Sequence, residues 1–246
     1  FQNNLMGAAA AAASSGGGST IYGYQIANSA KFAGDAKLTR TAGTPTNIDK
    51  FTISFWVKRS NLTVQNNMVH GDTDNSNYQM LRFSSLEKLE LHEQRGAGDS
   101  NGLRTDDQVF RDPSAWYHVV WVYDSGNSTE ADREIFYVNG ERLTDVVGWD
   151  GGYPAQNRDS VFNKSGATQV IGGASSYYGN YLQGYMAEVV FNDGQSYAAS
   201  DYGETKNGVW IPKDPSGLTF GNNGFYLNFA SSGDMGNDVS GNNNDF

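Results

Sequence analysis

The run Trp116-Tyr117-His118-Val119-Val120-Trp121-Val122-Tyr123-Asp124 is apolar or aromatic at both its odd and its even positions. Successive side chains of a strand point to opposite faces, so a strand written this way is covered on both sides and lies inside a sheet. A polar loop leads on to Glu134-Ile135-Phe136-Tyr137-Val138-Asn139-Gly140-Glu141-Arg142-Leu143. Asn-Gly is the favoured dipeptide of a two-residue type I′ turn, because both positions take φ > 0. The two runs predict a buried central strand followed by a tight hairpin, the frame of a β-sandwich.

The rest of the chain repeats this theme. Phe51, Ile53, Phe55 and Val57 alternate with smaller or polar residues, which marks a strand with one core face. Further strands are expected at 21–26, 30–33, 36–40, 68–70, 78–83, 86–94, 105–110, 169–171, 185–191 and 225–229. In 86–94, Leu89 and Leu91 point one way while Lys88, Glu90, His92 and Gln94 point the other. Many short strands joined by Gly, Asn and Asp turns, with no stretch of helical period, predict an all-β, two-sheet antiparallel sandwich or jelly roll. The stretches 95–104, 145–165 and 194–222 read as long loops, where binding groups of a rigid β domain tend to sit.

The formal net charge of −10 disfavours sequence-independent binding to nucleic acid and adhesion to anionic membranes. No apolar run is long enough to span a bilayer as a helix. With no cysteine, the chain has no disulfide framework, thiol nucleophile or cysteine-type zinc site. Residues 1–20 differ from the rest. Phe1, Leu5 and Met6 precede an alanine run at 8–13 and a Gly/Ser stretch. The alanine run is too short for a stable isolated helix, and no basic residue precedes it as in a signal peptide. This segment is expected to be an assembly arm that docks a domain at 21–246 onto a partner surface, with a homo-oligomer as the expected state.

The candidate chemistry is that of binding. Rings can stack on the apolar face of a sugar beside amides and carboxylates. Trp149, Asp150, Tyr153, Tyr177, Tyr178 and Tyr181 supply such groups as contacts for a glycan or a protein partner. Asp72 and Asp74, in Gly71-Asp72-Thr73-Asp74-Asn75-Ser76-Asn77, are weak calcium candidates; the stretch lacks the glycine and the closing glutamate of an EF-hand loop. No other cofactor is expected. His70, His92 and His118 show no metal-binding spacing, and the alternation around His118 gives it a structural role.

The segments FTISFWVKRS (51–60), FRDPSAWYHVVWVYDS (110–125), IFYVNGERLT (135–144), YLQGYMAEVVFNDGQ (181–195), NGVWIPK (207–213) and NGFYLNFASSGDMGNDVSGNNNDF (223–246) resemble the LamG-like, concanavalin A-like jelly-roll proteins of tailed, especially marine, bacteriophages. The starting segment FQNNLMGAAAAAA resembles the amino-terminal start of such proteins. The resemblance implies a two-sheet jelly roll and a non-enzymatic place on the virion surface, as a decoration, spike or tail-fibre component. Its partners would be other virion proteins and host cell-surface glycans. Glucanases of the wider group carry their carboxylates on one strand as Glu-x-Asp-x-(x)-Glu. The nearest stretch here, Glu87-Lys88-Leu89-Glu90-Leu91-His92-Glu93, lacks the central Asp. Glu90 and Glu93 fall on opposite faces, and Glu87 and Glu93 are too far apart for a dyad at roughly 3.3 Å per residue. These glutamates are expected to form a solvated charged face, with carbohydrate binding or, less favoured, polysaccharide depolymerisation as the alternative roles.

Overall fold

The doubly apolar run becomes β8 (Tyr117–Asp124), hydrogen-bonded between β3 (Lys50–Arg59) and β9 (Glu134–Val138) in the middle of a sheet. The computed structural model describes residues 23–175 and 179–246. The expected assembly arm, with Phe1, Leu5 and Met6, lies outside the described residues, as do Tyr177 and Tyr178. Among the described residues, 23–26 form no strand.

Two seven-stranded antiparallel sheets face each other. The first runs β1 (Ala30–Ala33), β13 (Gln183–Asp193), β3, β8, β9, β10 (Glu141–Arg142), with β16 (Phe225–Leu227) also on β13. The second runs β11 (Val146–Asp150), β7 (Ser100–Thr105), β6 (Leu89–Arg95), β5 (Asn77–Phe83), β4 (Asn66–Asp74), β12 (Thr168–Ile171), β2 (Leu38–Thr41). A separate hairpin joins β14 (Gly203–Lys206) to β15 (Val209–Pro212).

Parity along the strands decides what is buried. Phe51, Ile53, Phe55 and Val57 all enter the core between the sheets, where they meet Val119, Trp121 and Tyr123 from β8 and Leu81, Phe83, Leu89 and Leu91 from the second sheet. The even positions of β8 are covered too. Val120 and Val122 join Val190, Ala199, Tyr202, Phe220 and Tyr226 in a second cluster, under the segment that follows β13. This is the two-sided burial that the sequence of β8 demands. Asn139 (φ 50°) and Gly140 (φ 86°) form the two-residue turn between β9 and β10. A Cβ on Gly140 would stand 2.3 Å from the Trp210 ring, so this position requires glycine for space as well as for its backbone.

Some expectations need correction. The strand expected at 105–110 is instead β7, which ends at Thr105. Phe110 is held outside any ladder, its N–H on the Glu87 carbonyl and its carbonyl on Arg59 Nη1. Two of the three expected loops contain strands of the second sheet, β7 and β11, and the third contains the β14–β15 hairpin. The expected solvated glutamate face is also overturned. Glu93 shares the parity of Leu89 and Leu91, so it points into the sandwich and is fully buried; Glu90 is only 5% exposed. Glu93 accepts from Gln79 Nε2 at 2.6 Å, from Arg158 Nε at 2.9 Å and from Arg95 Nε. Two guanidiniums and an amide make its burial tolerable, since a buried charge must be paired and hydrogen-bonded.

Candidate functional site

The second sheet turns its other face away from the sandwich, where His70, Asp72, Tyr78 and Met80 are nonetheless buried, and the strand register sorts its side chains into three rows. One row pairs Asp72, Tyr78, Gln94 and Ser100 across β4, β5, β6 and β7. The middle row pairs His70, Met80, His92 and Gly102. The third pairs Asn67, Arg82, Glu90, Arg104 and, on β11, Val147.

Trp149 reaches this face through a β-bulge. Gly148 pairs with Leu103 and Asp150 with Gly102, which leaves Trp149 as the extra residue. Its indole lies over Gly102, where a Cβ would come within 2.7 Å of the ring. Trp149 Nε1 donates to the Leu91 carbonyl at 3.2 Å, and the ring packs on His92 with centroids 4.9 Å apart. His92 in turn meets Tyr78 edge-on at 5.3 Å, and Tyr78 stacks with His70 at 5.9 Å. A continuous aromatic band thus crosses four strands.

Polar groups hold the band in place. Asp150 accepts from Ser100 Oγ at 2.7 Å and sits 3.2 Å from His92 Nε2, while Tyr78 Oη lies 3.2 Å from His92 Nδ1. Burial lowers the His92 pKa, with Arg82 adding to the shift and Asp150 opposing it. The neutral imidazole then carries its proton on Nε2, toward Asp150, and accepts the Tyr78 hydroxyl at Nδ1. Carboxylates (Asp72, Asp150) flank one side of the band and guanidiniums (Arg82, Arg104) the other. Charged, polar and aromatic groups gathered on one sheet face can bind a ligand.

The other expected contact residues are dispersed. Tyr181 lies near Lys37, whose Nζ is 5.9 Å from its ring centroid, and beside Gly173 just beyond β12. Four strands separate β12 from β11, so at about 4.8 Å per strand step Tyr181 and Trp149 are roughly 24 Å apart. Tyr153 packs against the main core beneath the end of β11, where burial raises its phenol pKa. Asp72 is buried on the outer face, 3.8 Å from His70 Nε2. Asp74 closes the β4–β5 turn, accepting from Ser76 N at 2.8 Å and Asn77 Nδ2 at 2.9 Å, bonds that lower its pKa. Among the described residues, no group of three or more His, Cys, Asp or Glu converges to hold a metal. Tyr78, His92, Gly102 and Arg104 were not singled out as contacts by sequence. The outward parity of His92 against Leu89 and Leu91 was the available signal.

Comparison with known proteins bears on this geometry. A family model described as the concanavalin A-like lectin/glucanases superfamily matches residues 32–198. The chain belongs to this superfamily. Among solved structures of the same fold, a putative carbohydrate binding protein from Bacteroides ovatus is 18% identical with a TM-score of 0.54, the match covering 87% of this chain and 56% of that one. Domain 4 of AbnA, an extracellular arabinanase from Geobacillus stearothermophilus, in complex with arabinotriose, is 16% identical with a TM-score of 0.51, covering 69% and 72%. Tailspike protein 2 of an Escherichia coli O157:H7 bacteriophage is 16% identical with a TM-score of 0.47, covering 70% and 23%. The chain thus spans just over half of the Bacteroides protein and about a quarter of the tailspike. No curated protein matches in sequence.

The superfamily takes in lectins and glucanases, and two pairs of side chains in this chain have a catalytic pattern. Glu134 and Glu93 interact inside the sandwich. Burial, and after it the Glu93 charge, hold the Glu134 carboxyl well above the usual range, while its Oε1 accepts from Trp121 Nε1 at 3.0 Å. A raised carboxyl beside a second carboxyl group is the pattern of a general acid and its partner. Here the two are 2% and 0% exposed, sealed between the sheets and beyond the reach of a polysaccharide. Ser54 and His118 form the other suggestive pair, with Oγ 2.8 Å from Nε2. Trp210 Nε1 donates to His118 Nδ1 at 3.0 Å, so the neutral ring carries its proton on Nε2 and donates to the serine. A histidine in that tautomer cannot take the serine proton.

Proposed function

We propose that this chain is a non-catalytic glycan-binding module whose saccharide lies on the outer face of the second sheet, stacked on Trp149. The observation that carries the reading is the bulge that lifts Trp149 onto Gly102, beside Asp150, His92 and Tyr78. The combination supplies a ring for the apolar face of a sugar and acceptors and donors for its hydroxyls. The arabinanase domain, solved in complex with arabinotriose, supports the fold as one able to hold a short saccharide. Display on a phage particle, inferred from the sequence resemblance, would give such a module the task of holding the particle to a host surface glycan.

A panel of bacterial surface polysaccharides tests the reading. Binding to at least one of them is expected, weakened about tenfold or more by Trp149→Ala, the equivalent of 1.4 kcal/mol. Tyr181→Ala, on the far side of the sheet, should bind as the parent does. Absence of binding across the panel, or sensitivity to Tyr181 and not to Trp149, would refute it.

A further inference from the structure

Resting on that reading, we infer that the saccharide is acidic and that Arg104 receives its carboxylate. Arg104 stands two residues along β7 from Gly102, on the same face, so its Cα lies about 7 Å from the seat of the Trp149 indole. The acidic neighbour that the register gives it, Glu90, is taken. Arg82 binds Glu90 Oε1 through Nε at 2.7 Å and through Nη2. Among the described residues Arg104 has no ion pair, and its Nε is buried without a hydrogen-bond acceptor.

A half-buried guanidinium with an unused donor is costly to keep, because the lost hydration of that N–H is not replaced. Its two terminal amino groups are neither buried nor hydrogen-bonded among the described residues, so a ligand carboxylate that meets them offsets this cost while Nε stays sealed. The planar fork presents parallel N–H donors that match the two oxygens of a carboxylate, a geometry a hydroxyl cannot reproduce. The remaining groups fit the rest of such a ligand. Trp149 takes the apolar face of the ring, and Asp150, across the band from Arg104, accepts from hydroxyls. On a chain with a net charge of −10, anions are repelled in general, so an unpaired arginine beside the aromatic band confines any attraction for a carboxylate to this spot.

The test uses a panel of uronic-acid- and sialic-acid-containing polysaccharides, each with its carboxyl-reduced form, in which –COO⁻ has become –CH2OH on the same ring. Neutral polysaccharides complete the panel. At least one native acidic polymer should bind about tenfold or more tightly than its reduced form, as expected for a charge-assisted bidentate pair. Arg104→Gln should erase that preference by weakening the native polymer about tenfold more than the reduced form, and Arg104→Lys should restore part of it. Trp149→Ala should weaken both forms alike. Equal binding of native and reduced polymers, a preference that survives Arg104→Gln, or an equal loss for both forms in that variant would each overturn the assignment. Binding to neutral polymers alone would overturn it and leave the glycan-binding reading standing. No binding to any polymer would overturn both.

Discussion

Acid should destabilise this protein through His118, and by an amount the structure sets. The ring is fully buried on the outer side of the first sheet, and burial pushes its pKa down to about 3. It accepts from Trp210 Nε1 and donates to Ser54 Oγ, so a second proton, on Nδ1, would set two N–H groups against each other. The unfolded-state value is about 6.5. Because the folded value is the lower one, the stabilisation is complete above pH 6.5 and is lost as the pH falls toward 3. Linkage between these two values gives a loss of about 3 kcal/mol from pH 7 to pH 4, carried by this residue alone. For a chain of this length that corresponds to about 6–12 °C in melting temperature. The assay is urea unfolding at both pH values for the parent and for His118→Gln, which hydrogen-bonds without titrating. At pH 7 the variant should be less stable by about 1–2 kcal/mol, from imperfect replacement of two hydrogen bonds. At pH 4 that deficit should vanish or reverse. A deficit that is the same at both pH values would refute the reasoning.

Gly102→Ala should act mainly on binding, with a modest loss of stability of about 1 kcal/mol from the displaced Trp149–Leu91 bond. Its Cβ would lie 2.7 Å from the Trp149 ring, so the indole must move by about 1 Å to reach ordinary contact, and saccharide affinity measured by titration calorimetry should fall about tenfold. Asp193→Ala should do the opposite, a large loss of stability read from the denaturation midpoint. Its buried carboxylate accepts from Thr46 N, Asn47 N, Asn163 Nδ2 and Asn223 N, and stranding these donors should cost about 3–5 kcal/mol.

The frame was legible because its rules are local. Alternation in 51–57 placed four side chains in the core, the two-sided pattern of 117–123 placed β8 mid-sheet, and Asn139-Gly140 specified its own turn. β7 and β11 were not legible. Of the inward positions of β7 only Leu103 is apolar, Asn101 and Thr105 being buried polar residues, and Gly102 seats an indole. A strand with polar residues at its inward positions loses the alternation by which strands are read. Glu93 illustrates a second limit. Its parity pointed inward, but the groups that make burial possible, Gln79 and Arg158, are 14 and 65 residues away in sequence. The site was half legible for the same reason. Trp149 and Asp150 were visible as an aromatic and a carboxylate in a polar stretch. Their neighbours Tyr78, His92 and Arg104 come from three other strands and meet them only through the sheet register.

The position of a bound saccharide tests the central claim most directly. A crystal structure with the best-binding oligosaccharide of the panel should show a sugar ring stacked on the Trp149 indole, with hydroxyls at hydrogen-bonding distance from Asp150. A saccharide bound at the loops near Tyr181, or on the covered side of the first sheet, would contradict the account.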